Sequence, residues 1–199
     1  MYNIPQKLLL VAVLSVAAAP LVGQQPANRP ALWLSAGVGL GWARVTCPSV
    51  PCHANRGHAL SGYAEAGGRI SRSVLVGGEV QGWLKNYNTD QGDPVDELLL
   101  AYSGVIYWYP SPRYPYYLKG GFGLVTYRLD VGTDRITASA LGPQIGIGWE
   151  VRAVSHFSLV PYVNVLVAST GAKLKSNGNE VPVNPSLALI QFGIGVARR

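Results

Sequence analysis

From Ala31 to the end of the chain, apolar residues recur at every second position, and clusters of Gly, Pro, Ser and Asn interrupt them at intervals. Successive side chains on a β-strand point to opposite sides, so this alternation predicts strands with two chemically different faces. Eight segments follow the pattern. The first, Leu32 to Arg44, carries Leu32, Leu34, Ala36, Val38, Leu40 and Trp42 on one face, with Trp33, Ser35 and glycines on the other. The second runs from Ala59 to Ile70, the third from Val74 to Lys85 and the fourth from Leu98 to Tyr109. The remaining four are marked by Tyr116, Leu118, Phe122 and Leu124, by Leu141, Ile145, Ile147 and Trp149, by Leu159, Val163, Val165 and Val167, and by Ile190, Phe192, Ile194 and Val196.

The apolar faces supply about 46 positions, none of them Lys, Arg, Asp or Glu, whereas the opposite faces hold about six such residues among Gly, Ser, Tyr and Gln. A soluble barrel turns its apolar face inward and a charged face to water. A large uncharged face opposed by a small polar one is the inverted pattern of a barrel that sits in lipid. Segments of roughly ten to twelve residues match the 9–11 that a tilted membrane strand needs. The connections alternate in length. Arg44–His58, Asn86–Glu97, Arg128–Ser139 and Ser169–Ser186 are long and polar, while Ser71–Ser73, Pro110–Pro115 and Arg152–His156 are short. The expected fold is therefore an all-β, eight-stranded antiparallel transmembrane β-barrel, an up-and-down meander, with an enclosed soluble lipid-binding barrel as the alternative. Outward aromatics near strand ends, Trp42, Trp108, Tyr116 and Trp149, fit the aromatic girdles of such barrels. Pro161 reads as a strand breaker, since it has no N–H for the ladder.

Composition sharpens the picture. Charged residues are 13% of the 199, about half the roughly 25% usual for soluble domains. The 48% apolar content excludes intrinsic disorder, and the length leaves room for one domain. Residues 1–23 carry one lysine and an apolar run, Leu8 to Ala19, too short to span a bilayer. They predict a cleaved secretory signal peptide, leaving 24–199 as the barrel domain. No later stretch is long and apolar enough for a membrane helix. With an even strand number, both ends of the mature chain are expected in the periplasm and the long loops outside.

Three stretches carry a family likeness: Tyr117-Leu118-Lys119-Gly120-Gly121-Phe122-Gly123, Gln144-Ile145-Gly146-Ile147-Gly148-Trp149-Glu150 and Val160-Pro161-Tyr162-Val163-Asn164. With the eight-segment pattern, they make the chain resemble the small eight-stranded outer-membrane β-barrels, of the OmpA membrane-domain and OmpX type. The resemblance implies a bacterial outer membrane location, insertion by the barrel-assembly machinery, contact with outer-membrane lipid and lipopolysaccharide, and a monomer. It also implies a porin-like architecture with a structural or surface-interaction role in the cell envelope.

Few residues suggest chemistry. Glu65, Arg69, Glu79, Lys119 and Glu150 share inward parity, and buried charges need partners, so they are expected to form a charge network inside the barrel. Eight strands enclose only enough space for side chains, which argues against an open pore. A narrow channel for small or apolar solutes is kept as an alternative. Cys47 and Cys52 lie in the first long loop and suit a small disulfide ring in an oxidising compartment. With His53 and His58 they also give a Cys2His2 count for a metal, and free thiols are a third reading; the two intervening prolines favour the disulfide. His156, Ser158 and Glu150 resemble the catalytic set of outer-membrane lipid A deacylases, but the pair sits by a short turn, away from the outer leaflet. No catalytic residue, cofactor or resident metal is expected. The pI of about 9.4 would attract lipopolysaccharide or other polyanions, with Arg56, Lys173 and Lys175 as exposed candidates. No basic cluster with interleaved aromatics suggests nucleic acid.

Overall fold

The computed structural model describes residues 32–47, 57–89, 92–111, 114–154 and 156–198. The predicted signal peptide, and Cys52, His53 and Arg56 of the first loop, lie outside the described residues. Eleven strands follow in chain order: β1 (Leu32–Thr46), β2 (His58–Arg69), β3 (Val74–Asn88), β4 (Pro94–Trp108), β5 (Tyr116–Val131), β6 (Asp134–Trp149), β7 (Val151–Val154), β8 (Phe157–Ala168), β9 (Thr170–Ser176), β10 (Asn179–Val181) and β11 (Ser186–Arg198). They make eight staves, because β7 prolongs β6 past Glu150, β9 prolongs β8 past Ser169, and β10 folds back on β9. Each stave is antiparallel to the next. The ring closes where β11 pairs with β1, from Leu34 opposite Arg198 to Thr46 opposite Ser186. On its far side β6 pairs with β8 from Gln144 opposite Leu166 to Gly148 opposite Tyr162.

The period-two faces sort as their chemistry requires. Leu34, Val38, Leu40 and Trp42 of β1, Phe122 and Leu124 of β5, Ile145 and Ile147 of β6, and Ile190, Phe192, Ile194 and Val196 of β11 are exposed on the outer wall. Charges return on the outward parity only beyond this band, at Arg44 of β1, Asp96 of β4, Arg128 and Asp130 of β5 and Arg198 of β11 among others. Trp108, Tyr116 and Trp149 lie together near the short-turn end, where the Tyr116 and Trp149 rings are 5.7 Å apart. Trp42 lies at the loop end, stacked on Phe192 at 5.3 Å.

Three of the predicted loops are largely strand. β3 and β4 pair out to Asn88 opposite Pro94, β5 and β6 to Val131 opposite Asp134, and β9 with β10 to Ser176 opposite Asn179. A ladder needs backbone hydrogen bonds and not an apolar face, so above the lipid a hairpin continues with polar residues and the hydrophobic period vanishes. The turn residues are the missing signal. Gly132 at φ 57 opens a two-residue turn with Thr133, and Asn177 at φ 48 with Gly178 at φ 85 makes a turn in which both central residues are left-handed. Asn-Gly is the preferred pair for that geometry.

Pro161 is accommodated inside β8. It lies opposite Ile194 of β11 in an unbroken ladder. Towards β6 the pairing stops at Gly148 opposite Tyr162 and resumes with β7 at Val151 opposite Leu159. The missing N–H therefore interrupts one side of the strand only.

The inner surface of the β1–β11 seam is built of glycine: Gly37 faces Gly195 and Gly39 faces Gly193. The space is taken by Tyr63 and Tyr162, packed edge to face at 4.6 Å. A Cβ at Gly37 would stand 2.5 Å from the Tyr63 ring, whereas one at Gly104, on the outer wall, would meet nothing within 4 Å. Gly37→Leu should accordingly overpack the lumen by about 3 kcal/mol and reduce the fraction of protein that shifts mobility between unboiled and boiled samples in SDS. Gly104→Leu should keep the parent's mobility shift, and equal behaviour of the two variants would contradict this packing.

Candidate functional site

The lumen is stratified. Towards the loop end, Trp83, Leu99, Val125, Tyr127, Leu166 and Leu189 belong to one buried apolar cluster. Towards the turn end, Trp33, Leu75, Tyr107, Tyr109 and Tyr117 belong to another. Between them lies a belt of buried polar side chains that includes Glu65, Glu79, Gln81, Lys119, Gln144, Asn164 and Gln191. Each stave contributes alternate residues to the inside, and the ladder register decides which of them meet. Glu65 of β2 stands directly opposite Glu79 of β3. Lys119 enters from β5 and donates to Glu79 Oε2 at 2.6 Å, with Glu65 Oε2 at 3.8 Å.

One lysine cannot neutralise two carboxylates, so neutral donors share the load. Tyr107 donates its hydroxyl to Glu65 and lies 3.1 Å from Glu79. Gln81 donates to Glu79 and, at 2.7 Å, to the Gln144 carbonyl oxygen. The rings of Tyr63 and Tyr107 face the Lys119 ammonium at 5.5 and 5.9 Å, which a cation favours over a hydrocarbon wall. Trp83 donates Nε1 to the Gly41 carbonyl at 2.9 Å, and Gln191 reaches the Gly82 carbonyl at 3.1 Å.

Two further carboxylates are clasped by tyrosines. Tyr127 donates to Glu97 at 2.6 Å near the loop end, and Tyr109 donates to Glu150 at 2.6 Å near the turn end. Of the five residues expected in the interior network, the structure brings Glu65, Glu79 and Lys119 together and puts Glu150 lower, beside Tyr109. Arg69 departs from that expectation. It is the last residue of β2, opposite Leu75, and its side chain is exposed on the turn-end rim. Parity alone missed Glu97, Tyr107, Tyr127 and the glutamine pair, although tyrosines recurring at inward positions were a visible signal.

Cys47 is disulfide-bonded, and Cys52 is the only other cysteine in the sequence. Among the described residues no group of three or more His, Cys, Asp or Glu could hold a metal ion. His156 is exposed, whereas Ser158 is fully buried and its Oγ makes no hydrogen bond, so the two do not form a nucleophile–base pair.

The loop end presents a cleft of about 630 Å³ bordered by Asp96, Arg128, Asp130, Arg135, Lys175 and Asn177. Asn177 ties two projecting hairpins together: its N–H donates to the Arg135 carbonyl at 2.8 Å and its side-chain oxygen accepts from the Arg135 N–H at 2.8 Å. Partial desolvation, the largest single influence on Asp130, raises its pKa. Hydrogen bonds from Arg135 at 2.7 Å and Arg128 at 2.5 Å, with their charges, outweigh it and hold the carboxyl below its usual range. Lys173 and Lys175 are exposed, each 3.8 Å from Glu180.

A closed eight-stranded barrel with an apolar outer band and a filled, polar-belted lumen defines a small membrane-spanning barrel of the outer-membrane type. No family model matches the chain, nor does any curated protein sequence. Solved structures do share the fold. Neisserial surface protein A is similar at a TM-score of 0.54 and 13% identity, over 85% of this chain and 97% of that one. Ail, the attachment invasion locus protein of Yersinia pestis, solved in complex with the heparin analogue sucrose octasulfate, is similar at a TM-score of 0.55 and 10% identity, over 84% and 99%. Likeness at such identities shows the fold alone.

Removing Lys119 leaves two buried carboxylates without their cation. Lys119→Met should destabilise the barrel by about 3–5 kcal/mol, read from urea unfolding in lipid vesicles. The double variant Lys119→Met/Glu79→Gln should recover part of that loss. If the single variant unfolds with the parent, the ion pair contributes nothing.

Proposed function

We propose that this protein is a bacterial outer-membrane barrel with a non-enzymatic role, structural in the envelope and interactive through its loop end. The observation that carries the reading is the filled lumen. Two apolar clusters bracket an ion-paired belt, and side chains such as Trp83, Tyr107, Leu99 and Gln191 are fully buried within it. An interior packed in this way offers neither a solute path nor a substrate pocket, which leaves the loop-end surface as the place of contact. That surface carries exposed Lys173, Lys175, Arg128 and Arg135 on hairpins that stand above the apolar band, two cations to each of the carboxylates Glu180 and Asp130. The partners it suits are polyanions at the cell surface, lipopolysaccharide first. Ail, of the same fold, was solved with a sulfated heparin analogue, which favours this class of ligand without identifying it. In this arrangement the turn end faces the periplasm, and residues 1–23 act as the export signal.

Two measurements test the reading. Reconstituted into planar bilayers, the protein should add no discrete conductance steps; reproducible steps would replace it with the narrow-channel alternative. Lys173→Gln/Lys175→Gln should weaken binding to immobilised lipopolysaccharide by roughly threefold at low salt, with the difference shrinking as salt rises. Binding that is unaffected by both salt and substitution would remove the loop-end polyanion role.

A further inference from the structure

The two ends of the barrel are charged differently. Every described Asp or Glu that reaches solvent lies at the loop end: Asp93, Asp96, Asp130, Asp134 and Glu180. At the turn end the one described carboxylate, Glu150, is buried. Among the described residues the exposed Lys and Arg side chains there are all arginines, beside the exposed His156: Arg69 at the end of β2, Arg72 in the β2–β3 turn, Arg152 on β7 and Arg198 on β11. Around the ring the order is β3, β2, β1, β11, β8, β7, so these four arginines spread over an arc of six of the eight staves, with Arg69, Arg72 and Arg198 on its β3-to-β11 part.

The same arc holds a hollow in the outer wall. A groove of about 600 Å³ runs over β8, β11, β1, β2 and β3, with the small Ala36, Ala66 and Gly78 as its floor, the larger Leu34, Val80 and Phe157 around them and Arg198 at one end. That volume is within the range of ligand-sized sites. A Cβ at Gly78 would meet nothing within 4 Å, so the floor is open to the surroundings and not filled by a neighbouring side chain. Across the barrel, at outward positions of β5 and β6, stand Phe122, Ile145 and Ile147.

We propose that the groove and the arginine arc form a site for one anionic phospholipid of the leaflet at the turn end. This rests on the membrane-spanning reading above. One acyl chain lies along Ala36, Ala66 and Gly78, where the lack of side-chain bulk lets it approach the backbone closely. The phosphate is bound by Arg198, whose planar guanidinium presents paired donors to phosphate oxygens. Arg69, Arg72 and Arg152 add a positive field along the same arc, where no exposed Asp or Glu stands among the described residues. A neutral or zwitterionic lipid fits the groove but gains little from the arc, so the site selects by head-group charge.

The test uses the full mature barrel in nanodiscs of mixed phosphatidylglycerol and phosphatidylcholine with identical acyl chains, followed by native mass spectrometry of the lipids retained. One phosphatidylglycerol should be retained in preference to phosphatidylcholine. Arg198→Gln should reduce that preference roughly fivefold, whereas Arg44→Gln at the loop end should leave it unchanged. Gly78→Leu should abolish retention of either lipid. Each sample is also run boiled and unboiled in SDS, so a variant that does not form the barrel is recognised, and failure of the barrel reading is separated from failure of the lipid site. Equal retention of the two lipids by a heat-modifiable parent would overturn the proposal, as would an Arg44→Gln effect matching that of Arg198→Gln. Displacement of the lipid by free glycerol 3-phosphate would also overturn it, since that would mark an anion site with no part for the groove.

Discussion

A sheet in hydrocarbon cannot leave an edge. Each unpaired N–H or C=O in the bilayer core costs several kcal/mol, with no water to relieve it. The pairing of β11 with β1 meets that constraint, and much of the architecture follows from it. Closing eight staves fixes the diameter, the diameter fixes how much can be packed inside, and alternation along each stave fixes which residues do the packing. The seam is also where two backbones carry glycines opposite one another. The tyrosines that fill the space come from β2 and β8, on either side of the seam.

The interior balances two demands. A lumen lined only by apolar residues would pack well but would make the inner and outer faces alike, weakening the register that separates them. The polar belt distinguishes the faces. Its charges, however, need partners that arrive from different strands at the same height. Glu65, Glu79 and Lys119 come from β2, β3 and β5, so their meeting depends on the register of three ladders. Slipping any one of those ladders by a residue would turn its charge towards lipid. The trio is thus as much a marker of correct strand pairing as a source of stability.

The sequence made the fold legible because lipid contact imposes a severe rule on every second residue, and that rule survives without knowledge of the partner strands. Parity also placed Glu65, Glu79 and Lys119 on the inner face. It could not say that they stand at one height while Glu150 stands lower, since height comes from register and not from period. Arg69 shows the same limit: its parity is inward, yet the strand ends there and a long side chain turns out to water. The projecting hairpins were illegible for a different reason. Beyond the bilayer their outer face is polar and only scattered inner residues such as Val95, Leu174 and Val183 are buried, so the apolar alternation is too sparse to record them. Only Gly132 and the Asn177-Gly178 pair, which set the turns, betray them.

The closing ladder has a kinetic consequence. Leu34 stands opposite Arg198 and Thr46 opposite Ser186, so the first described strand finds its second neighbour only among the last residues of the chain. Few contacts in a protein this size span a greater sequence separation, and such topologies fold slowly. Until the final stave arrives, two unsatisfied strand edges persist, each able to recruit another chain. A chain emerging from N- to C-terminus therefore cannot complete itself stepwise. Its neighbouring staves can pair earlier, but the ring cannot close before β11 is present, and closure is the step that commits it to one molecule.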